Sequence, residues 1–355
     1  MSDYNITQIY PNDKGGNEQV NALLLAEGIR RDNNLDYTCG MLDENMNVIA
    51  TGSCFGNTLR CMAVSSSHQG EGLMNQIVSH LVEVQFSRGN SQLFLYTKCN
   101  SAKFFGDLGF YEIVRIENQI VFMENRRDGF SSYLRQLASD NSEASSQKRT
   151  AALVMNANPF TLGHQYLVER AASENDLLHL FIVSEDKSLF PFAVRKKLAM
   201  EGTSHLHNIC YHDSGPYIIS SATFPSYFQK DESAVIESHA MLDLAIFTQI
   251  AQALHIGRRY VGEEPLSLVT GIYNQIMTKK LPENDIDCVI VPRKTTGSSA
   301  DAPVISASHV RQAIKEENFA LLESLVPQTT LSYLKSEEAK PVIRRIQAEA
   351  NVIHY

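Results

Sequence analysis

Hydrophobic and polar positions fall into two regimes along the chain. Up to about residue 123, short apolar runs at 37–42, 47–55, 59–64, 92–97 and 118–123 alternate with turn-rich stretches. Helical spacing occurs there near 17–30, 72–88 and 101–107. "YTCGMLDENMNVIATGSCFG" reads as two strands around a turn at Asp43-Glu44-Asn45. This pattern predicts an α+β unit on a mostly antiparallel sheet. From residue 150 the rhythm changes. "TAALVMNA" precedes a helix at 163–175, "LLHLFIV" a helix at 192–203, and "RRYVGEE" a helix at 268–280, with further strands at "NICYH" and "IDCVIVPRK". A long helix over 233–254 carries Val235, Ile236, His239, Leu242, Ile246, Ile250 and Leu254 at helical spacing. Alternating βα units predict a parallel sheet with helices on both faces and ligands at the carboxyl ends of its strands.

Between the regimes, "ENRRDGFSSYLRQLASDNSEASSQKR" predicts a short helix near 130–138 and then a flexible polar linker. The expected domains are therefore 1–125 and 150–355, joined by 126–149. The tail "EAKPVIRRIQAEANVIHY" predicts a closing helix.

Composition narrows the class. A chain of 355 residues, 43% hydrophobic and 20% charged, fits a globular protein of two domains. No stretch approaches the roughly 20 apolar residues of a membrane span, and "MSDYNITQIY" has neither the basic start nor the apolar run of a secretory signal. A cytoplasmic protein is expected. Six scattered cysteines without a CxxC pair suit reduced thiols better than disulfides or zinc. His205, His207 and His212 are the one weak candidate for a metal site. A formal net charge of −9 argues against a nucleic-acid surface but leaves room for a local anion site.

The strongest chemical candidate is the strand-to-helix turn in "VMNANPFTLGHQYLVERA". Pro159 keeps Asn158 out of helical geometry, Thr161 sits where an N-cap belongs, and His164 falls near the third helical position. The free N–H groups of that first turn favour an anion, and Gly163 would let a ligand approach the backbone. A capped helix with a surface histidine and a phosphate site are both compatible with the turn alone.

The string resembles the T/H-x-G-H signature of the nucleotidylyltransferase superfamily. "VISASHVRQAIKEENF" resembles that superfamily's I-S-S-T-x-x-R motif, with Ala307 and Ser308 departing from it. Together with "FIVSEDKSLFPFAVRKKL", "SATFPSYF" and "YVGEEPLSLVTGIYNQIM", the order and spacing resemble the citrate lyase ligase family over nearly the whole chain. The resemblance implies a Rossmann-like nucleotidylyltransferase domain behind a GNAT-like α+β domain. It also implies a reaction in which ATP, acetate and the prosthetic-group thiol of the citrate lyase acyl carrier give AMP, pyrophosphate and an acetyl thioester.

Carried onto this sequence, Thr161 and His164 would contact phosphates, and Ser306, Ser308 and Arg311 would grip the β/γ end. Lys187 is a further candidate at the α-phosphate. Asn156, Asn158, Phe160 and Gly163 belong to the same nucleotide-facing turn, Gly262 and Glu263 would hold adenine and ribose, and Mg²⁺ would ride on the phosphates. Arg195, Lys196 and Lys197 read as a solvated helix face. Related readings are a pantetheine-phosphate-type adenylyltransferase and an acetyl-CoA-dependent acetyltransferase with a nucleotide-binding domain.

In the first domain, "CMAVSSSHQGEGLMNQIVSHLVEV" resembles the pyrophosphate loop of GNAT acetyltransferases. Gly70 and Gly72 match, and Ser67 replaces the expected Arg or Gln. "TKCNSAKFFGDLGFYEI" resembles a later motif of that fold. Val64, Gly70, Gly72 and Asn100 are thereby candidates for holding CoA or the carrier's dephospho-CoA-derived arm; a scaffold without chemistry is the other reading.

Overall fold

All eight residues of β3 (Val48–Phe55) are buried, which demands a sheet covered on both faces. The computed structural model describes residues 4–139, 149–184, 188–218, 232–263, 268–297 and 304–352. In it β3 joins β1 (Ile6–Gln8), β2 (Tyr37–Leu42), β4 (Thr58–Val64), β5 (Phe94–Thr97), β6 (Tyr111–Ile116) and β7 (Ile120–Glu124). Their order is β1-β2-β3-β4-β5-β7-β6. Neighbours run antiparallel except β4 and β5, which pair in parallel only at Thr58↔Phe94 and Leu59↔Leu95.

Side-chain alternation sends the sheet into two cores. Val48, Cys61 and Ala63 pack with Val20, Leu23 and Leu24 of α1 (Lys14–Ala26). Leu59, Leu95 and Val121 pack with Leu73, Ile77, Val78 and Leu81 of α2 (Leu73–Ser87). The helices α3 (Ala102–Asp107) and α4 (Gly129–Ser139) follow. Two strands were not foreseen. β1 has only three residues, and β6 slips register between Glu112 and Val114, which breaks its alternation.

A second sheet contains β8 (Thr150–Met155), β9 (Leu177–Ile182), β10 (Ile209–Asp213), β11 (Arg258–Gly262) and β12 (Asp287–Val291). All neighbours are parallel, in the order β10-β9-β8-β11-β12. Along the chain come α5 (Leu162–Glu174), α6 (Phe192–Gly202), α7 (Glu232–Leu254) and α8 (Leu268–Lys280), then α9 (Ala307–Lys315), α10 (Phe319–Leu325), α11 (Gln328–Leu334) and α12 (Lys340–Ala348). α12 is the expected closing helix. One continuous core joins Leu153, Met155, Leu178, Leu180 and Ile182 of the sheet to Val168, Leu198, Val310, Leu331 and Ile346 of the helices.

Strand order reverses between β8 and β11, so a topological switch point lies at their carboxyl ends. The fold class is α/β: a Rossmann-like parallel-sheet domain preceded in sequence by an α+β domain on a mostly antiparallel sheet.

The chain divides into two compact units, 1–133 with 221–246, and 134–220 with 247–355. Linear composition carries no sign of the 221–246 excursion. Residues 140–148 of the expected linker and the stretch "SATFPSYF" lie outside the described residues. One helical stretch, Ala234–Leu254, passes a test of length and mean hydropathy for crossing a membrane, as a buried core helix also does; its apolar window is 61% buried.

Candidate active site

β8 ends in a turn where Ala157 is held at φ +51° and the Asn158–Pro159 peptide is cis. A left-handed alanine that is fully buried is a strained element, of a kind that clusters at functional sites. The chain then enters α5 through a reciprocal cap. Thr161 Oγ1 accepts from the His164 backbone N–H at 3.2 Å, and His164 Nδ1 accepts from the Thr161 backbone N–H at 3.1 Å.

That second bond fixes the chemistry of the ring. Because Nδ1 is an acceptor, the neutral imidazole carries its proton on Nε2. Burial, reinforced by Arg293 and Arg311, pushes the His164 pKa down to about 4. His164 is therefore a neutral donor at physiological pH. Its ring stacks on Phe160 at 5.8 Å, which limits its swing.

Gly163 is small for a reason the sequence reading missed. A Cβ there would stand 3.0 Å from the carbonyl oxygen of Ile305. The chain itself makes this close approach. It seats the start of α9 beside the start of α5. α9 is capped by Ser306, whose Oγ accepts from the His309 N–H and lies 2.9 Å from Ser308 Oγ. Two helix N-termini, each with a partial positive charge, thus meet at the switch point.

Arg311 is 3% exposed and donates to the carbonyls of Asn158 and Val352 at 2.6 Å each. Desolvation lowers its pKa to about 10. It locks the second motif to the first turn while adding positive potential at His164.

Two of the expected contacts, Phe160 and Asn158, are buried, and Asn156 is held from within the chain. Phe160 has no exposed surface and packs beside Gly202, so it supports the His164 ring in place of touching nucleotide. Asn158 is also buried, and its Oδ1 accepts from the Phe190 N–H. Asn156 Oδ1 accepts from Arg195 Nη1 at 2.8 Å, and its amide bonds Ser188. Both asparagines hold the turn's shape.

Arg195 is not on a solvated face. It is fully buried and donates to the carbonyls of Phe190, Asn156 and Val183, while Lys196 and Lys197 make surface ion pairs. The planar guanidinium satisfies several carbonyls at once, which an ammonium cannot match. Lys187 lies outside the described residues.

Gly262 ends β11 and Glu263 follows it, at the carboxyl end of the strand. Asn274 Nδ2 donates to the Gly262 carbonyl at 3.1 Å, and Arg293 Nε donates to the Glu263 carbonyl at 2.8 Å. Arg293 and Asn274 were not foreseen. Arg293 follows β12, whose register with β11 brings Gly262 opposite Val291, and only that register places a cation here. Lys294 adds another cation over the Tyr166 ring.

The histidine metal candidate dissolves: His205 bonds Glu169, and His212 bonds His179 at 2.8 Å across neighbouring strands. No group of three or more potential metal ligands occurs among the described residues. In unit 1, Gly70 and Gly72 adopt φ +89° and +76°, Gly72 preceding α2. Val64 ends β4, and Asn100 sits in the 3-10 turn Cys99–Ser101. Ser67 Oγ is engaged by His68 and Ser65.

These features define a Rossmann-like α/β domain with two capped helix starts at its switch point. Residues 150–334 match the family model described as citrate lyase ligase C-terminal domain. The chain is 41% identical to the [citrate [pro-3S]-lyase] ligase of Klebsiella pneumoniae over 81% of its own length and 83% of that protein. It is 37% identical to the protein of the same name from Haemophilus influenzae (strain ATCC 51907 / DSM 11121 / KW20 / Rd), over 89% of this chain and 94% of that one. The chain belongs to the citrate lyase ligase family and is an enzyme of the ligase class. Among solved structures it is similar to a putative acyl-CoA N-acyltransferase from Klebsiella pneumoniae subsp. pneumoniae MGH 78578 (15% identity, TM-score 0.29, 35% of this chain and 97% of that one).

Proposed function

We propose that the chain uses ATP to acetylate the prosthetic-group thiol of the citrate lyase acyl carrier subunit, through an acetyl-adenylate. The observation that carries this reading is the docking of two capped helix starts at Gly163 and Ile305, beside a neutral His164 and the cations Arg293 and Arg311. Such an arrangement suits a triphosphate better than a neutral ligand.

Acetate is already an anion and needs no base. Its carboxylate oxygen attacks the α-phosphorus, the bond to the β-phosphate oxygen breaks, and pyrophosphate leaves. The carrier thiol, losing its proton, then attacks the acetyl carbon and AMP departs. His164 Nε2–H donates to a phosphate oxygen as charge builds, and Thr161 holds the ring in the required tautomer. Arg293, with Ser306 and Ser308 at the start of α9, faces the β/γ end, and Lys187 supplies a further cation. Arg311 acts by holding the two motifs together. Gly262 and Glu263 border the adenosine. Mg²⁺ bound with the nucleotide would neutralise part of the phosphate charge. Unit 1 receives the carrier's arm, with Val64, Gly70, Gly72 and Asn100 as its nominated contacts. The reaction takes place in the cytoplasm.

ATP–pyrophosphate exchange tests the reading. Exchange that requires acetate is the expected result. Exchange that requires phosphopantetheine instead would identify an adenylyltransferase, and none with either would leave an acetyl-CoA-dependent acetyltransferase.

A further inference from the structure

Unit 1 contains a second cationic site that the adenylation chemistry does not use. A cavity of about 1070 Å³ opens among α1, the 28–36 segment and Lys98. Arg31 sits in its wall, half-buried. Its Nη1 donates to Asn17 Oδ1 at 2.8 Å and Asn21 Oδ1 at 3.3 Å, and its Nη2 donates to Thr38 Oγ1 at 3.1 Å. All three acceptors are neutral. A guanidinium has five N–H donors, so two remain without a partner among the described residues.

The carboxylates lining the cavity are committed elsewhere. Asp32 forms a buried ion pair with Arg60 at 2.9 Å, and Asp36 pairs with Arg88 at 2.7 Å and accepts from the Gly56 N–H. Arg30 and Lys98 line the same cavity and have no ion pair among the described residues. Burial depresses the Arg31 pKa with no carboxylate opposing it. A half-buried cation without a counter-ion is costly unless a ligand supplies one. Asn17 and Asn21, one helical turn apart on α1, hold the guanidinium in place in advance of binding.

We infer that this cavity is a binding site for an elongated organic anion, its phosphate or carboxylate head on the Arg31 guanidinium and its less polar stem along Ile9, Leu25, Ile29 and Leu35. The volume reaches the upper end of small-molecule sites, far beyond what acetate fills. None of Val64, Gly70, Gly72 and Asn100 lines it, so the site is distinct from the nominated arm contacts.

Calorimetric titration of the full chain tests this, with the nucleotide site first saturated by a non-hydrolysable ATP analogue. Dephospho-CoA and inorganic pyrophosphate probe a phosphate head, and citrate probes a carboxylate head. At least one should bind, and Arg31→Gln should weaken it about tenfold or more. Asn21→Asp guards against a folding defect. It keeps the guanidinium but supplies the missing counter-charge, so it should raise Tm and weaken the same ligand. Acetate-dependent ATP–pyrophosphate exchange should stay unchanged in both variants, which separates this site from the adenylation reading. Failure of all three compounds to bind the wild-type chain, or equal binding by wild type and Asn21→Asp, overturns the inference.

Discussion

Two strand–glycine–helix turns in this chain resemble phosphate loops, and they are physically opposite. Before α5, Gly163 has no left-handed conformation; its missing Cβ makes room for the Ile305 carbonyl. Before α2, Gly70 and Gly72 are left-handed and nothing stands within 4 Å of the Cβ either would carry. The surroundings differ in sign as well. Arg293 and Arg311 act on His164 in the first turn, whereas in the second Glu27 accepts from the Ser66 N–H and Glu71 accepts from Tyr4. A glycine in such a motif therefore states only that a side chain is unwelcome. What it makes room for, and whether an anion is favoured there, depends on segments far away in sequence.

The largest expected effect separates the turns by chemistry. His164→Ala should cut acetate-dependent exchange by two orders of magnitude or more, about 3 kcal/mol, because a donor aimed at developing charge is lost. His68→Ala, in the α2 turn, should leave exchange unchanged. Equal losses in the two variants would mean that the α5 turn has no special role in adenylation.

A smaller effect separates them by packing. Gly163→Ala forces the Ile305 carbonyl to move, costing about 1–3 kcal/mol of stability. It should also lower exchange about tenfold by displacing the start of α9. Gly70→Ala meets no atom and carries only the cost of a left-handed alanine, about 1–2 kcal/mol. Gly70→Asn, which tolerates that conformation, should recover most of it, whereas Gly163→Asn should not. Thermal melts of the four variants, with exchange rates, decide whether fit or backbone freedom governs each turn.

Much of this contrast was legible in the residues and part of it was not. The βα rhythm, the Pro159 break and the Thr161 cap are local, and local physics expresses itself in order and spacing. Arg195 was misread because a run of Arg and Lys looks solvated. Only the folded chain shows that three carbonyls converge on one member of the run. Arg293 escaped notice because its place at the site depends on the register of β12 against β11. The short β1 and the register shift in β6 left too little periodicity to detect. Phe160 and Asn158 are buried, which proximity in sequence to a binding turn does not reveal.

The finest distinction is electrostatic, and His164 reports it. Its pKa of about 4 lies below the ordinary value of 6.5, so between those values the unfolded chain binds the proton and the folded one does not. Its contribution to stability is thus complete above pH 6.5 and is lost as the pH falls through 4. Through the neutral range the ring stays uncharged, and exchange should show no inflection near pH 6.5 from this residue. Burial is the first cause of the shift and the two arginines the second, so a bound anion should offset the second alone. NMR titration of the His164 ring in the free chain should show the Nε2–H tautomer and the depressed pKa. Repeating it with pyrophosphate should raise the pKa by about one unit, roughly 1.4 kcal/mol of coupling. A pKa that ignores pyrophosphate would place the anion away from His164 and remove the electrostatic half of the contrast between the two turns.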